Sequence, residues 1–187
     1  MKRALALVAM GLVLAACGIG AQQSPQSIAR HSVPFGLMAP ASTTTTVLVP
    51  TSNVAIYLKG RQRLVAVDRA VSDPVTVRSA LSALAQGATN SESAQGLESP
   101  VSLATPLSLK SIKGTTAVVD LPSSFANLGG QDQIIAVAQI VYTLSLFPRI
   151  RQVSIRVGGS PAQVPTGTGR LSPGPLTRKD YASLAPL

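Results

Sequence analysis

Cysteine occurs once in these 187 residues, at Cys17, histidine once, at His31, and tryptophan not at all. A disulfide within the chain needs two cysteines, and a structural zinc site needs several Cys or His ligands, so both are excluded. Aromatic residues make up 3% of the chain, which leaves few platforms on which sugars or bases can stack. A Ser-His-acid triad needs a positioned histidine, and His31 falls in a polar stretch without apolar periodicity. Acidic residues are scarce as well, 7 against 16 basic, for a formal charge of +9. They are Asp68, Asp73, Glu92, Glu98, Asp120, Asp132 and Asp180. Glycoside hydrolysis requires two of them at a defined separation, yet Asp73 and Asp132 read as helix N-terminal residues. Asp120 ends a strand, where it is expected to bond backbone N–H groups ahead of Ser123-Ser124. Gly129-Gly130 before a helix is a weak anion signal without a phosphate-loop lysine. The residues therefore predict no enzyme, no cofactor and no metal.

What is present begins with Met1-Lys2-Arg3 and an apolar run from Ala4 to Ala16 broken only by Gly11. A charged start followed by about a dozen apolar residues reads as a secretory signal, since a spanning helix needs roughly 20. The run ends Leu14-Ala15-Ala16-Cys17, which resembles the bacterial lipobox. That resemblance implies cleavage before Cys17 and a diacylglycerol ether on its sulfur, with palmitate-type acyl chains as the anchor. Two or three such chains hold a protein firmly on a bilayer, at about 0.8 kcal/mol per buried methylene. The competing reading is an ordinary signal peptide with an incidental cysteine. Cysteine avoidance elsewhere suits an oxidising, extracytoplasmic setting, so the expected location is the outer side of the cell membrane. Export also directs the chain away from nucleic acid.

Residues 1–16 are thus expected to be leader, and residues 17–52 a lipid anchor with a disordered tether rich in Ser, Thr, Pro and Gln, including the run Thr43 to Thr46. Such a tether spans about 30–35 Å at rest and about 115 Å when taut. Losing Lys2 and Arg3 leaves 14 basic and 7 acidic residues, a surplus that favours anionic lipid headgroups or acidic wall polymer. Lys59, Arg61 and Arg63, with Arg149 and Arg151, are the candidate anionic-ligand patch. Solvated loop charges are the plainer reading of the same residues.

Periodicity becomes interpretable near Val54. Val54–Leu58 reads as a strand, Lys59–Gln62 as a turn and Arg63–Arg69 as an alternating strand. Asp73-Pro74 is placed to cap a helix over about residues 75–86, stopped by Gly87. Ala88–Pro106 reads as loop. Leu107–Ile112 and Thr116–Leu121 form a hairpin pattern around Lys113-Gly114-Thr115. Gln131–Phe147 is the strongest helix, with Ile134, Val137, Ala138, Val141 and Leu144 on one face and Ile135 and Ile140 widening it. Pro148 ends it, and Arg151–Val157 alternates as a final strand. The order predicts an α+β fold: a small, mostly antiparallel sheet with two helices packed on one face, over residues 53–160. Residues 161–187 are expected to pack on that domain or trail from it.

Several of these stretches carry a resemblance. Leu84-Ala85-Gln86-Gly87 with Glu92 and Gly96-Leu97, Val118-Val119-Asp120-Leu121 followed by Phe125, and Ala138-Gln139-Ile140-Val141-Tyr142-Thr143-Leu144 before Phe147-Pro148 are similar to the GerMN domain of sporulation and spore germination. The match covers about residues 54–160, and Pro175–Tyr181 resembles endings of actinobacterial forms. Ala88, where the family often has proline, and Gly158-Gly159, in place of a frequent Asp-Gly turn, depart from the pattern in loops only. The resemblance implies a compact module similar to ring-building motifs of envelope secretion machinery, used for protein contacts and bringing no catalytic residues. The expected partners are the membrane, through Cys17, and an envelope protein. A basic surface for anionic lipid or wall polymer is the alternative, and a small-ligand or lipid carrier would need a cavity between helices and sheet.

Overall fold

The computed structural model describes residues 50–101 and 107–186. The expected leader, Cys17, His31, the run Thr43 to Thr46 and almost all of the tether lie outside the described residues.

Strands β1 (Thr51–Lys59) and β2 (Leu64–Ser72) form an antiparallel hairpin. Val54, Ile56, Tyr57 and Leu58 of β1 are buried, whereas β2 buries Leu64 alone. Helix α1 (Val77–Ala85) starts two residues later than the sequence reading placed it, and Thr76, not Asp73, is its cap. The cause is visible in the bonding. Asp73 is still tied to the hairpin, donating its N–H to the Pro50 carbonyl at 3.0 Å. Thr76 and Ser79 instead close a reciprocal box, with Thr76 Oγ1 accepting the Ser79 N–H at 3.0 Å and Ser79 Oγ accepting the Thr76 N–H at 2.8 Å. Ala80, Leu81, Ala83 and Leu84 then face the core.

The stretch read as loop contains a further short helix, α2 (Asn90–Ala94). Thr89 and Glu92 make a second capping box around it, and Gly96 leaves it at φ +80°, a conformation glycine adopts without strain. The expected hairpin is present as β3 (Ser108–Lys113) and β4 (Thr116–Leu121), with a register shift between Leu109 and Ser111. A 3₁₀ turn over Ser123–Asn127 buries Phe125 and leads to α3 (Gly130–Leu144).

Helix α3 is the centre of the described residues. An amphipathic helix with one buried face was expected, but every residue from Ile135 to Leu144 is buried. The sequence IIAVAQIVYTL is apolar nearly all round, as a helix enclosed on all sides must be. It packs against β1, α1, β5 and the C-terminal segment. Two polar residues inside that run are satisfied. Thr143 Oγ1 accepts the Tyr57 N–H at 3.1 Å, and Gln139 bonds Ser99 Oγ and the Glu98 carbonyl.

Strand β5 (Gln152–Val157) returns parallel to β4, so that β4, α3 and β5 make a crossover unit, and β6 (Ser160–Pro161) adds an antiparallel edge. The α+β class stands. The strands divide, however, into the β1–β2 hairpin, a β3-β4-β5-β6 sheet and a small pair, β7 (Val164–Pro165) with β8 (Leu171–Ser172). Of these pairings only β4 with β5 is parallel.

The C-terminal residues belong to the core. Leu176 exchanges backbone hydrogen bonds with Val153 at 2.7 and 2.9 Å. A 3₁₀ segment, Arg178–Leu184, places Tyr181 against α3, fully buried, with its hydroxyl donating to the Pro165 carbonyl at 2.8 Å. Burial pushes the Tyr181 phenol well above its usual range. Gly167 permits this approach, because a Cβ there would stand 3.0 Å from both the Asp180 carbonyl and Ser183 Oγ.

Candidate functional site

The five cations proposed as one patch fall in two places. Lys59, Arg61 and Arg63 surround the β1–β2 turn, closed by the Gly60 N–H on the Arg63 carbonyl at 2.8 Å. Lys59 is paired with Glu98 at 2.9 Å, with side chains 30% and 68% exposed, a geometry that contributes less than about 1 kcal/mol. Arg61 and Arg63 are exposed. Arg149 and Arg151 instead follow the C-terminal end of α3, on either side of buried Ile150. Because β1 crosses α3 at Thr143 and reaches the level of Gln139 through Glu98, the turn and the second pair lie on opposite sides of Thr143 along the helix.

At that C-terminal end the structure adds two cations that the sequence reading missed. Arg178 and Lys179 line a groove of about 450 Å³ with Arg151, Thr177, Ser145 and Ile150. Arg178 is held in place, its guanidinium 5.4 Å from the Tyr142 ring centre and donating to the Tyr142 carbonyl at 3.4 Å. A cation beside the terminal carbonyls of a helix also complements its dipole. No local pattern predicts this convergence, since about 27 residues of chain separate Arg151 from Arg178, and the nonlocal bridge between Val153 and Leu176, two residues from each, sets them side by side.

On the other side of Ile150 is an apolar groove of about 640 Å³. Val77, Ile112, Gly114, Phe147 and Pro148 line it, with Arg149 at its margin. Ile112 is 46% exposed, and Leu146, next to Phe147 in the chain, is 39% exposed. No acidic side chain lines either groove.

Glu92, Asp120 and Asp180 are committed elsewhere. Glu92 grips Arg69 through two bonds of 2.6 and 2.7 Å, accepts the Thr89 N–H at 2.8 Å, and is held down to about 2 chiefly by the Arg69 guanidinium. Arg69 also donates to the Gly87 carbonyl at 3.1 Å, so the pair ties β2 to both ends of the loop between α1 and α2. Asp120 bonds a backbone N–H, as expected of a strand-terminal carboxylate, and the donor comes from the turn after β5. It accepts the Gly159 N–H at 2.9 Å and meets Lys110 at 3.2 Å, and these bonds, the Gly159 one first, lower its pKa. The chain turns back after β5 through Gly158-Gly159, which brings that N–H to Asp120. Asp180 accepts from both the N–H and the hydroxyl of Thr177. Asp132 lies in the first turn of α3. Among the described residues no three His, Cys, Asp or Glu side chains converge as metal ligands would.

The fold and its surface define a small α+β module with open grooves around the end of a buried central helix. The family model described as sporulation and spore germination, the Germane domain, matches residues 46–163, and the chain belongs to that family. Among solved structures, the tandem GerMN domains of the sporulation protein GerM from Bacillus subtilis match at 24% identity and a TM-score of 0.53, over 70% of this chain and 48% of that one. This chain therefore spans about half the length of that tandem structure. The first GerMN domain of the same protein matches at 24% identity and a TM-score of 0.51, over 69% of this chain and 99% of that one. At this identity the likeness is one of fold. No curated protein matches the chain.

Proposed function

We propose that the chain is a non-catalytic lipoprotein, anchored through Cys17 on the extracytoplasmic side of the cell membrane, whose Germane domain makes protein contacts in the envelope. The observation that carries the non-catalytic part is the use of its acids. Glu92 and Asp120 are held ionised by partners that occupy their oxygens, whereas a general acid needs a pKa raised towards neutrality. Anchoring rests on the Leu14-Ala15-Ala16-Cys17 pattern behind a charged, apolar leader. The contact role rests on family membership and on the open grooves.

The test is in-cell crosslinking of the full chain in its native membrane, followed by mass spectrometry of captured species. One stoichiometric envelope protein, lost when residues 53–187 are deleted and the tether kept, is the expected result. Capture of lipid or wall polymer alone, released by salt, would overturn the reading in favour of a basic surface. The groove of Arg151, Arg178 and Lys179 is the observation that favours this second reading.

A further inference from the structure

Three surfaces of the domain are open to a partner. The free edge of β3 is the outer edge of the four-stranded sheet, where a partner strand would add. Its register shift between Leu109 and Ser111, with exposed Lys110 and Lys113, is the kind of feature that blocks such pairing. The cationic groove alone is partly consumed by structure, since Arg178 serves the Tyr142 carbonyl and ring. The third surface joins that groove to the apolar one across Ile150, and it combines two chemistries that neither half offers by itself.

We infer that this composite surface, apolar at Ile112, Phe147 and Pro148 and basic at Arg149, Arg151 and Lys179, docks a partner-protein segment in which one large apolar side chain is flanked by carboxylates. The inference rests on the protein-contact reading above and names the chemistry of its partner. Shape argues for a peptide over a bilayer, because the apolar lining is concave, about 640 Å³, with Ile112 at its mouth. A membrane-inserting surface presents its apolar side chains outward beyond their neighbours. Charge decides the flanks. Arg149 and Arg151 are exposed, and neither has a carboxylate within 4 Å among the described residues. The nearest acid in sequence to Lys179, Asp180, is engaged by Thr177. A complementary segment gains specificity and association rate from carboxylates at that rim and anchoring from the apolar side chain.

The experiment pans a random dodecapeptide library on the full chain, purified from membranes into phosphatidylcholine nanodiscs, and measures affinities of enriched sequences as synthetic peptides. Enrichment of one or two large apolar residues flanked by Asp or Glu is expected. Affinity falls at least tenfold in Ile112→Glu and in Arg149→Glu, while the paired change Arg61→Glu and Arg63→Glu at the distant turn leaves it unchanged. Both groove variants must melt with the parent, and Ile112→Ser replaces Ile112→Glu if the latter does not. Enrichment without acidic bias, affinity indifferent to both groove variants, or no enrichment over empty nanodiscs would each overturn the inference. So would displacement of the enriched peptides by soluble short-chain phosphatidylglycerol bound in the groove, with that lipid binding lost in Arg149→Glu. A crosslinked envelope partner contacting the domain elsewhere would leave the proposed function standing and remove this site.

Discussion

Glu92 offers the sharpest test of how the domain is held together. Its carboxylate and the Arg69 guanidinium are only 15% and 12% exposed, so solvent does little to screen or replace their two bonds. The carboxyl pKa moves from 4.5 down to about 2, and at 1.36 kcal/mol per unit this is about 3 kcal/mol of folded-state preference for the ionised form. The sign follows from the direction. A depressed pKa contributes stability that is fully present above the unfolded value and is lost as pH falls from about 5 to about 2. Glu92→Gln keeps the shape and can still accept the Thr89 N–H, but leaves a nearly buried guanidinium without its charge partner. Such an unpaired charge costs about 3 kcal/mol, or about 10 °C in Tm for a domain of this size. Urea unfolding of parent and variant across pH 2–7 reads both effects, and the difference between the two curves isolates Glu92 from Asp120, whose lowered pKa acts in the same direction. Adding Arg69→Met to Glu92→Gln removes both charges together and should recover most of the loss. The reasoning fails if Glu92→Gln unfolds at the parent's midpoint at pH 7, or if the two curves run parallel down to pH 2.

Three further outcomes are expected. Thr143→Val strands the buried Tyr57 N–H without its acceptor and destabilises by about 1–3 kcal/mol, with faster hydrogen exchange at the Tyr57 amide as the local readout. Tyr181→Phe keeps the packing and deletes the hydroxyl bond to the Pro165 carbonyl, for a loss of about 1–2 kcal/mol seen in the denaturation midpoint. Cys17→Ala moves the full chain from the membrane pellet to the soluble or precursor fraction, checked by fractionation and by loss of labelled fatty acid.

The sequence made the main elements legible because each announced itself by period or punctuation. β5 alternates, α3 is long and apolar, and Lys113-Gly114-Thr115 marks a hairpin. The start of α1 was misplaced because Asp73-Pro74 is a plausible cap locally, and only the nonlocal bond from Asp73 to Pro50 holds it in the β hairpin. Helix α2 was overlooked although Thr89 and Glu92 spell a capping box, since five residues without a buried side chain carry no apolar period. The enclosure of α3 was hidden for another reason: the residues that cover it, Val164, Leu176 and Tyr181, come from a segment too short in its elements to show any pattern. The same segment carries Arg178 and Lys179, so half of the candidate site was invisible for the same cause.

That common cause links stability to surface. Arg178 lies over the Tyr142 ring, the Tyr142 hydroxyl donates to the Arg178 and Tyr181 carbonyls, and Tyr142 in turn meets Tyr57 edge to face at 5.6 Å between ring centres. The C-terminal segment, the central helix and β1 therefore meet in one line, Arg178 on the Tyr142 ring and that ring on Tyr57, and the cationic groove includes Arg178 at its end. The bridge between Leu176 and Val153 on one side and the buried Tyr181 on the other fix the segment that carries Arg178 and Lys179 beside Arg151. A partner that reads those cations consequently reads the folded C-terminal segment, which a sequence of scattered basic residues could not present without it.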